Sequence, residues 1–217
     1  MLLAYSLVPG LSAAPLPTLG IITSSQAAQI GDARASVGTT LYAGDRLATD
    51  QGGWLRVSAA NFQLQLQERS SAFLTESPAA STGRGIQLTS GSIEISLTSA
   101  ADFRVLANGA ILRAAGDRPI LARIEIRGAR EVHISMRRGE MQLVYQAESA
   151  ILHESKSYAV LLNPSEKEIA FAANLDTEKP KTGHTTGKPV FLLILLAAAA
   201  AIALPLLLHS YESPHTP

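Results

Sequence analysis

The chain has 217 residues and no cysteine, and its 18 Lys+Arg balance its 18 Asp+Glu. That length accommodates one domain of ordinary size. The neutral balance speaks against nucleic acid as a partner, because phosphate binding needs a basic excess or a basic stripe. The missing thiols exclude disulfides, thiolate chemistry, cysteine-based zinc sites and a lipidated N-terminal cysteine.

Residues 1–27 read as a signal-like leader. Met1 to Ala14 is apolar, ends in small residues and precedes Pro15 and Pro17, as the core and cleavage region of a secretory signal would. A basic n-region is missing, and an apolar leading strand is the alternative. Ser12-Ala13-Ala14 and Ser25-Gln26-Ala27 are candidate small-x-small cleavage sites.

Residues 28–171 are expected to form a β-domain. Leu55 and Val57, then Phe62, Leu64 and Leu66, then Ile93, Ile95 and Leu97 recur at period two, with polar residues such as Arg56, Gln63, Gln65 and Glu94 between them. Alternate side chains of a strand point to opposite faces, so each run offers one face to a core and one to water. Asn108-Gly109, between Phe103/Val105 and Ile111, supplies the two positive-φ positions of a type I′ hairpin. Gly116-Asp117 with Pro119 marks a further break. A short internal echo, Leu88-x-x-Gly91-x-Ile93 against Met136-x-x-Gly139-x-Met141, suits a β-roll or solenoid-like sandwich. The predicted fold is all-β, an antiparallel β-roll or solenoid-like sandwich.

Residues 172–189, rich in Lys, Thr, Gly and Pro, read as a flexible tether. Val190 to Leu208 is uncharged for nineteen residues. As a helix it would reach roughly 29 Å, close to the apolar thickness of a bilayer, and it is predicted to span a membrane. Residues 209–217 are a short tail. Ala197 with Ala201, and Ala199 with Ala203, form small-x-x-x-small pairs through which two spans could pack as a homo-oligomer.

Chemistry-bearing motifs are sparse. The five histidines make no H-x-x-x-H or H-E-x-x-H arrangement, and no G-x-S-x-G elbow or glycine-rich phosphate loop is present. Gly83-Arg84-Gly85 reads as a surface turn, and the acidic residues are spread over separate segments. No catalytic residue, cofactor or metal is expected. Arg127, Arg130, Arg137 and Arg138 form the densest positive feature, either a solvated strand face or a patch for an anionic partner. Trp54 reads as a core or sheet-face aromatic.

One segment is more specific: Gly31-Asp32-Ala33, followed by Leu41-Tyr42-Ala43-Gly44-Asp45-Arg46-Leu47-Ala48-Thr49 and, after a second turn, Trp54-Leu55-Arg56-Val57. This resembles the FecR domain family, which shows an initial glycine, an apolar-x-x-Gly-Asp-x-Leu-x-Thr turn, an alternating strand, a Ser/Leu segment and an apolar-x-x-Gly-x-apolar closing element. The last two correspond to Ser71–Leu74 and Leu88–Ile93, which brings in Gly91. The likeness covers Gly31 to Leu97 and continues loosely to Leu162. Ser58-Ala59-Ala60-Asn61 replaces the family's usual Asp-Gly-Ser turn.

The resemblance implies a β-rich, periplasmic, non-enzymatic interaction domain held at the bacterial inner membrane by the span, with a protein or an envelope polymer as its partner. Regulatory members place an anti-sigma segment and a span before the domain. Here the span follows it, which gives little support to sigma-factor control. Two alternatives stay open. Lys179, Lys181 and Lys188 before the span favour a cytoplasmic tail-anchored adaptor under the positive-inside rule, and the arginine cluster allows an envelope glycan-binding module or hydrolase.

Overall fold

A computed structural model describes residues 18–76, 84–98, 103–163 and 191–196. These residues are all β. The first strands are β1 (Thr18–Ile30), β2 (Ala33–Arg34), β3 (Thr40–Tyr42), β4 (Arg46–Ser58), β5 (Phe62–Leu66), β6 (Ser71–Glu76) and β7 (Arg84–Leu97). There follow β8 (Phe103–Ala107), β9 (Ala110–Ala114), β10 (Ile120–Ile126), β11 (Glu131–Arg138), β12 (Met141–Tyr145), β13 (Glu148–Leu152), β14 (Ser157–Leu162) and β15 (Phe191–Leu196). Every pairing is antiparallel except that of β7 with β8.

Three long strands bend and serve two layers. Residues 91–97 of β7 pair with β5 and β10, whereas residues 84–90 pair with β6 and β8. In β4, residues 55–58 pair with β5 and residues 46–48 with β6. β1 runs beside both halves of β4, with a register shift between Gln26 and Ala28. One layer therefore runs β3-β1-β4-β5-β7-β10-β11-β14-β15, and the other β2-β1-β4-β6-β7-β8-β9-β12-β13.

The period-two apolar residues fill the space between the layers. Leu55, Leu64, Ile93, Ile95 and Ile134 of the first layer, and Ile86, Val105, Leu112 and Leu143 of the second, are essentially inaccessible to solvent. The rings of Phe62 and Phe103, one from each layer, lie with centroids 4.4 Å apart.

Local sequence explains the crossings. Gly91 and Gly139, the glycines of the internal echo, both take positive φ where the chain changes layer, within β7 and between β11 and β12. A Cβ at Gly91 would lie 2.7 Å from the Arg69 carbonyl oxygen, so the close approach adds to the backbone requirement. Asn108 and Gly109 have φ of 50° and 83° in the hairpin joining β8 to β9, as the dipeptide predicts.

At the two ends of the sheet the structure departs from the sequence-based expectations over residues 18–27 and 191–196. Residues 18–27, assigned to a leader, belong to β1: Leu19 and Ile22 are buried, Ser25 pairs with Leu55, and Gln26 pairs with Trp54. Cleavage after Ala27 would remove most of the strand that borders β4. The helix expected from Val190 to Leu208 is absent over Phe191–Leu196, which pairs residue for residue with β14 from Leu162 to Ser157. A continuous apolar run fits a strand covered on both sides as well as a helix, and the edge of β14 offers it a complete set of hydrogen-bonding partners. Phe191 joins the core, and Leu193 and Leu195 pack against it. Among the described residues no helix is long and apolar enough to cross a membrane. Val190, residues 197–208, the tether at 172–189 and the tail at 209–217 lie outside the described residues, as does the leader up to residue 17.

Candidate functional site

The family-signature residues build a corner of the fold. Gly31 lies in the turn from β1 to β2, and its N–H donates to the Arg46 carbonyl, 2.8 Å away. Gly44 has a φ of 92°, which places Asp45 so that its carboxylate accepts from the Tyr42 N–H at 2.8 Å. Leu47 then returns to the core at 0% exposure. Two residues on, Thr49 is buried, and its hydroxyl accepts from the Ser70 N–H at 3.0 Å and lies against the Gln67 carbonyl.

From Thr49 the polar contacts continue. The Ser70 hydroxyl accepts from the Ser92 N–H at 2.9 Å and reaches the Ser92 carbonyl at 3.1 Å. The Ser92 hydroxyl in turn accepts from Arg123, with an N···O distance of 3.3 Å. Thr49, Ser70 and Ser92 are the buried polar residues among those described, and together they tie the bends of β4 and β7 to the turn between β5 and β6. Buried polar groups are tolerated where they find partners, and here each partner is a neighbouring bend.

Beside this corner, on the solvent face of the first layer, lies a cleft of about 470 Å³ running across β4, β5, β7 and β10. Its position follows from register. Arg56 stands opposite Gln65, Gln65 opposite Glu94, Glu94 opposite Arg123, and Arg123 opposite Ser135. Outward positions of successive strands thus form one polar row at right angles to the strands. The Arg56 guanidinium donates to the Gln65 amide oxygen at 2.8 Å within it.

Trp54 stands at the β4 end of the cleft, half-buried, its indole N–H donating to the Gln26 side chain at 3.2 Å. Gln65 and Gln67 line the middle, and Arg123 and Glu125 the β10 end. Gly52, Gly53 and Gly91 also line it. Glu68 is held at the rim by accepting from the Gly52 N–H at 2.8 Å. No cluster of three or more metal-ligating side chains occurs among the described residues.

The arginines do not form one patch. Arg127 and Arg130 lie at the turn into β11, and Arg137 and Arg138 at its far end. Seven residues of strand separate Arg130 from Arg137, roughly 23 Å. Arg127 pairs with Glu125 at 3.1 Å, Arg137 approaches Glu94 at 3.7 Å, and Arg130 donates to the Asn163 carbonyl at 2.9 Å. A sequence cluster split by an extended strand cannot present its charges together. Gln65, Gln67 and Arg123 were not singled out from the sequence. The alternating glutamines of β5 were visible, but only register shows that Arg123 shares their row.

No protein-family model matches the chain, and no curated protein matches it. Among solved structures, the chain is similar to a protein from Parabacteroides distasonis described as an anti-sigma factor, with 13% identity and a TM-score of 0.43. The match covers 54% of each chain, so this chain spans about half the length of that neighbour.

Proposed function

We propose that the chain is a FecR-like binding or scaffold domain displayed at the bacterial cell envelope, anchored in the inner membrane with its bulk on the periplasmic side, and that it recognises a partner without performing a reaction. The cleft beside Trp54 carries this reading: the corner built by Gly44, Asp45, Leu47 and Thr49 supports a concave polar surface of a size suited to a ligand. The described carboxylates around it, Glu68 and Glu125, are engaged by the Gly52 N–H and by Arg127.

Anchoring places a demand on β15. Ala197 to Leu208 would reach only about 18 Å as a helix, against about 30 Å of bilayer hydrocarbon, so the span needs Phe191–Leu196 to leave β14. A homo-oligomer through Ala197, Ala199, Ala201 and Ala203 belongs to the same reading. Lys179, Lys181 and Lys188 favour the reverse orientation, a cytoplasmic tail-anchored adaptor. Protease added to intact spheroplasts, with alkaline extraction of the membranes, separates the two. Digestion of the domain together with retention in the extracted membranes is expected; protection of the domain would establish the adaptor, and release into the alkaline wash would remove the anchor.

A further inference from the structure

We propose that the cleft across β4, β5, β7 and β10 binds an uncharged oligosaccharide, with Trp54 as the stacking platform and the amides of Gln65 and Gln67 and the guanidinium of Arg123 as donors to its hydroxyl groups. This rests on the reading of the chain as a binding domain and names the ligand class of the same site.

The charged lining of the cleft is balanced, Arg69 and Arg123 against Glu68 and Glu125, so it offers no net attraction to a phosphate or a polyanion. Its walls carry only Trp54 and Ile126 as large apolar side chains, too few to cover a lipid chain or a hydrophobic peptide face. What remains is one aromatic plane among many neutral or paired hydrogen-bonding groups. That combination suits a ligand with an apolar C–H face and a rim of hydroxyls.

Shape agrees with chemistry. The cleft runs across the strands, and from β4 to β10 it passes three strand intervals, roughly 14 Å. Gln65 on β5 and Arg123 on β10 stand two strand intervals apart across β7, roughly 10 Å, so an extended ligand laid across the sheet meets a hydrogen-bonding group from each. The groups are also held in advance: Trp54 by Gln26, Glu68 by Gly52 and Arg123 by the buried Ser92 hydroxyl. Pre-positioned groups lose less freedom on binding.

Trp54 is the chain's one tryptophan, so its fluorescence reports on the cleft alone. The full chain in detergent micelles is titrated with cellohexaose, chitohexaose and polygalacturonate. A saturable change in emission with a neutral hexasaccharide is expected, weakened about tenfold or more in Gln65→Ala/Arg123→Ala, a loss of roughly 1.4 kcal/mol. A preference for chitohexaose marks a wall-type N-acetylated glycan, and an equal response to both marks recognition of the hydroxyl pattern; either supports the site. No response to either neutral hexasaccharide, a stronger response to polygalacturonate, or full retention of the response in the folded double variant would overturn it. Because purified protein is used, failure here leaves the envelope location standing, and failure of the spheroplast test leaves the cleft standing.

Discussion

The corner through Thr49, Ser70 and Ser92 is assembled from residues far apart in the sequence, whereas the arginines around β11 are close in the sequence, and the fold treats the two sets in opposite ways. The corner gathers Thr49, Ser70 and Ser92 into one buried, hydrogen-bonded unit. The arginines, within twelve positions of each other, are set at the two ends of an eight-residue strand, and Arg127, Arg130 and Arg137 are each met by a separate acceptor. Closeness in sequence is therefore a poor guide to closeness in a β protein. A spacing that matches bends in adjacent strands is a better one.

Substitutions test that contrast in order of effect. Gly91→Ala is expected to cost about 3 kcal/mol, because it combines positive φ with a Cβ against the Arg69 carbonyl and the Ser70 hydroxyl. Urea denaturation of the full chain followed through Trp54 measures it, and a shift below 1 kcal/mol would show that the bend is not constrained as described. Thr49→Val keeps the volume but strips the Ser70 N–H of its acceptor, and a loss of about 1–3 kcal/mol should appear in the same measurement. Asp45→Ala removes the half-buried acceptor of the Tyr42 N–H and should cost about 0.5–1.5 kcal/mol. Arg127→Ala and Arg137→Ala, at exposed ion pairs, should each stay within about 0.5 kcal/mol. If an arginine variant proved as damaging as Thr49→Val, the contrast between the two regions would collapse.

Much of the fold is legible from alternation and turn chemistry, because both act locally. The runs at Leu55–Val57, Phe62–Leu66 and Ile93–Leu97 bury the residues that their period predicts, and Asn108-Gly109 turns as its side-chain preferences require. Local signals fail where one pattern serves two structures. Phe191–Leu196 has no polar alternation to mark it as strand, and its partner β14 lies almost thirty residues earlier in the chain. Thr18 to Ala27 suffers likewise, since its strand character depends on pairing with β4 and not on its own composition. The cleft was hidden for a third reason. Trp54, Gln65 and Arg123 have no sequence relation to one another; Gln65 and Arg123 share a row only through the registers of β5 and β10 with β7, and Trp54 lies two residues along β4 from Arg56 of that row.

The position of β15 at the rim also governs how the domain can be handled apart from the rest of the chain. A fragment ending at Asn163 would leave the backbone groups of β14 from Ser157 to Leu162 without their strand and would uncover the apolar side of Leu161 and the core-facing Val160. An open edge of that kind recruits other edges. Such a fragment should self-associate with rising concentration, and that association would report the missing ninth strand of a layer and not a native oligomer.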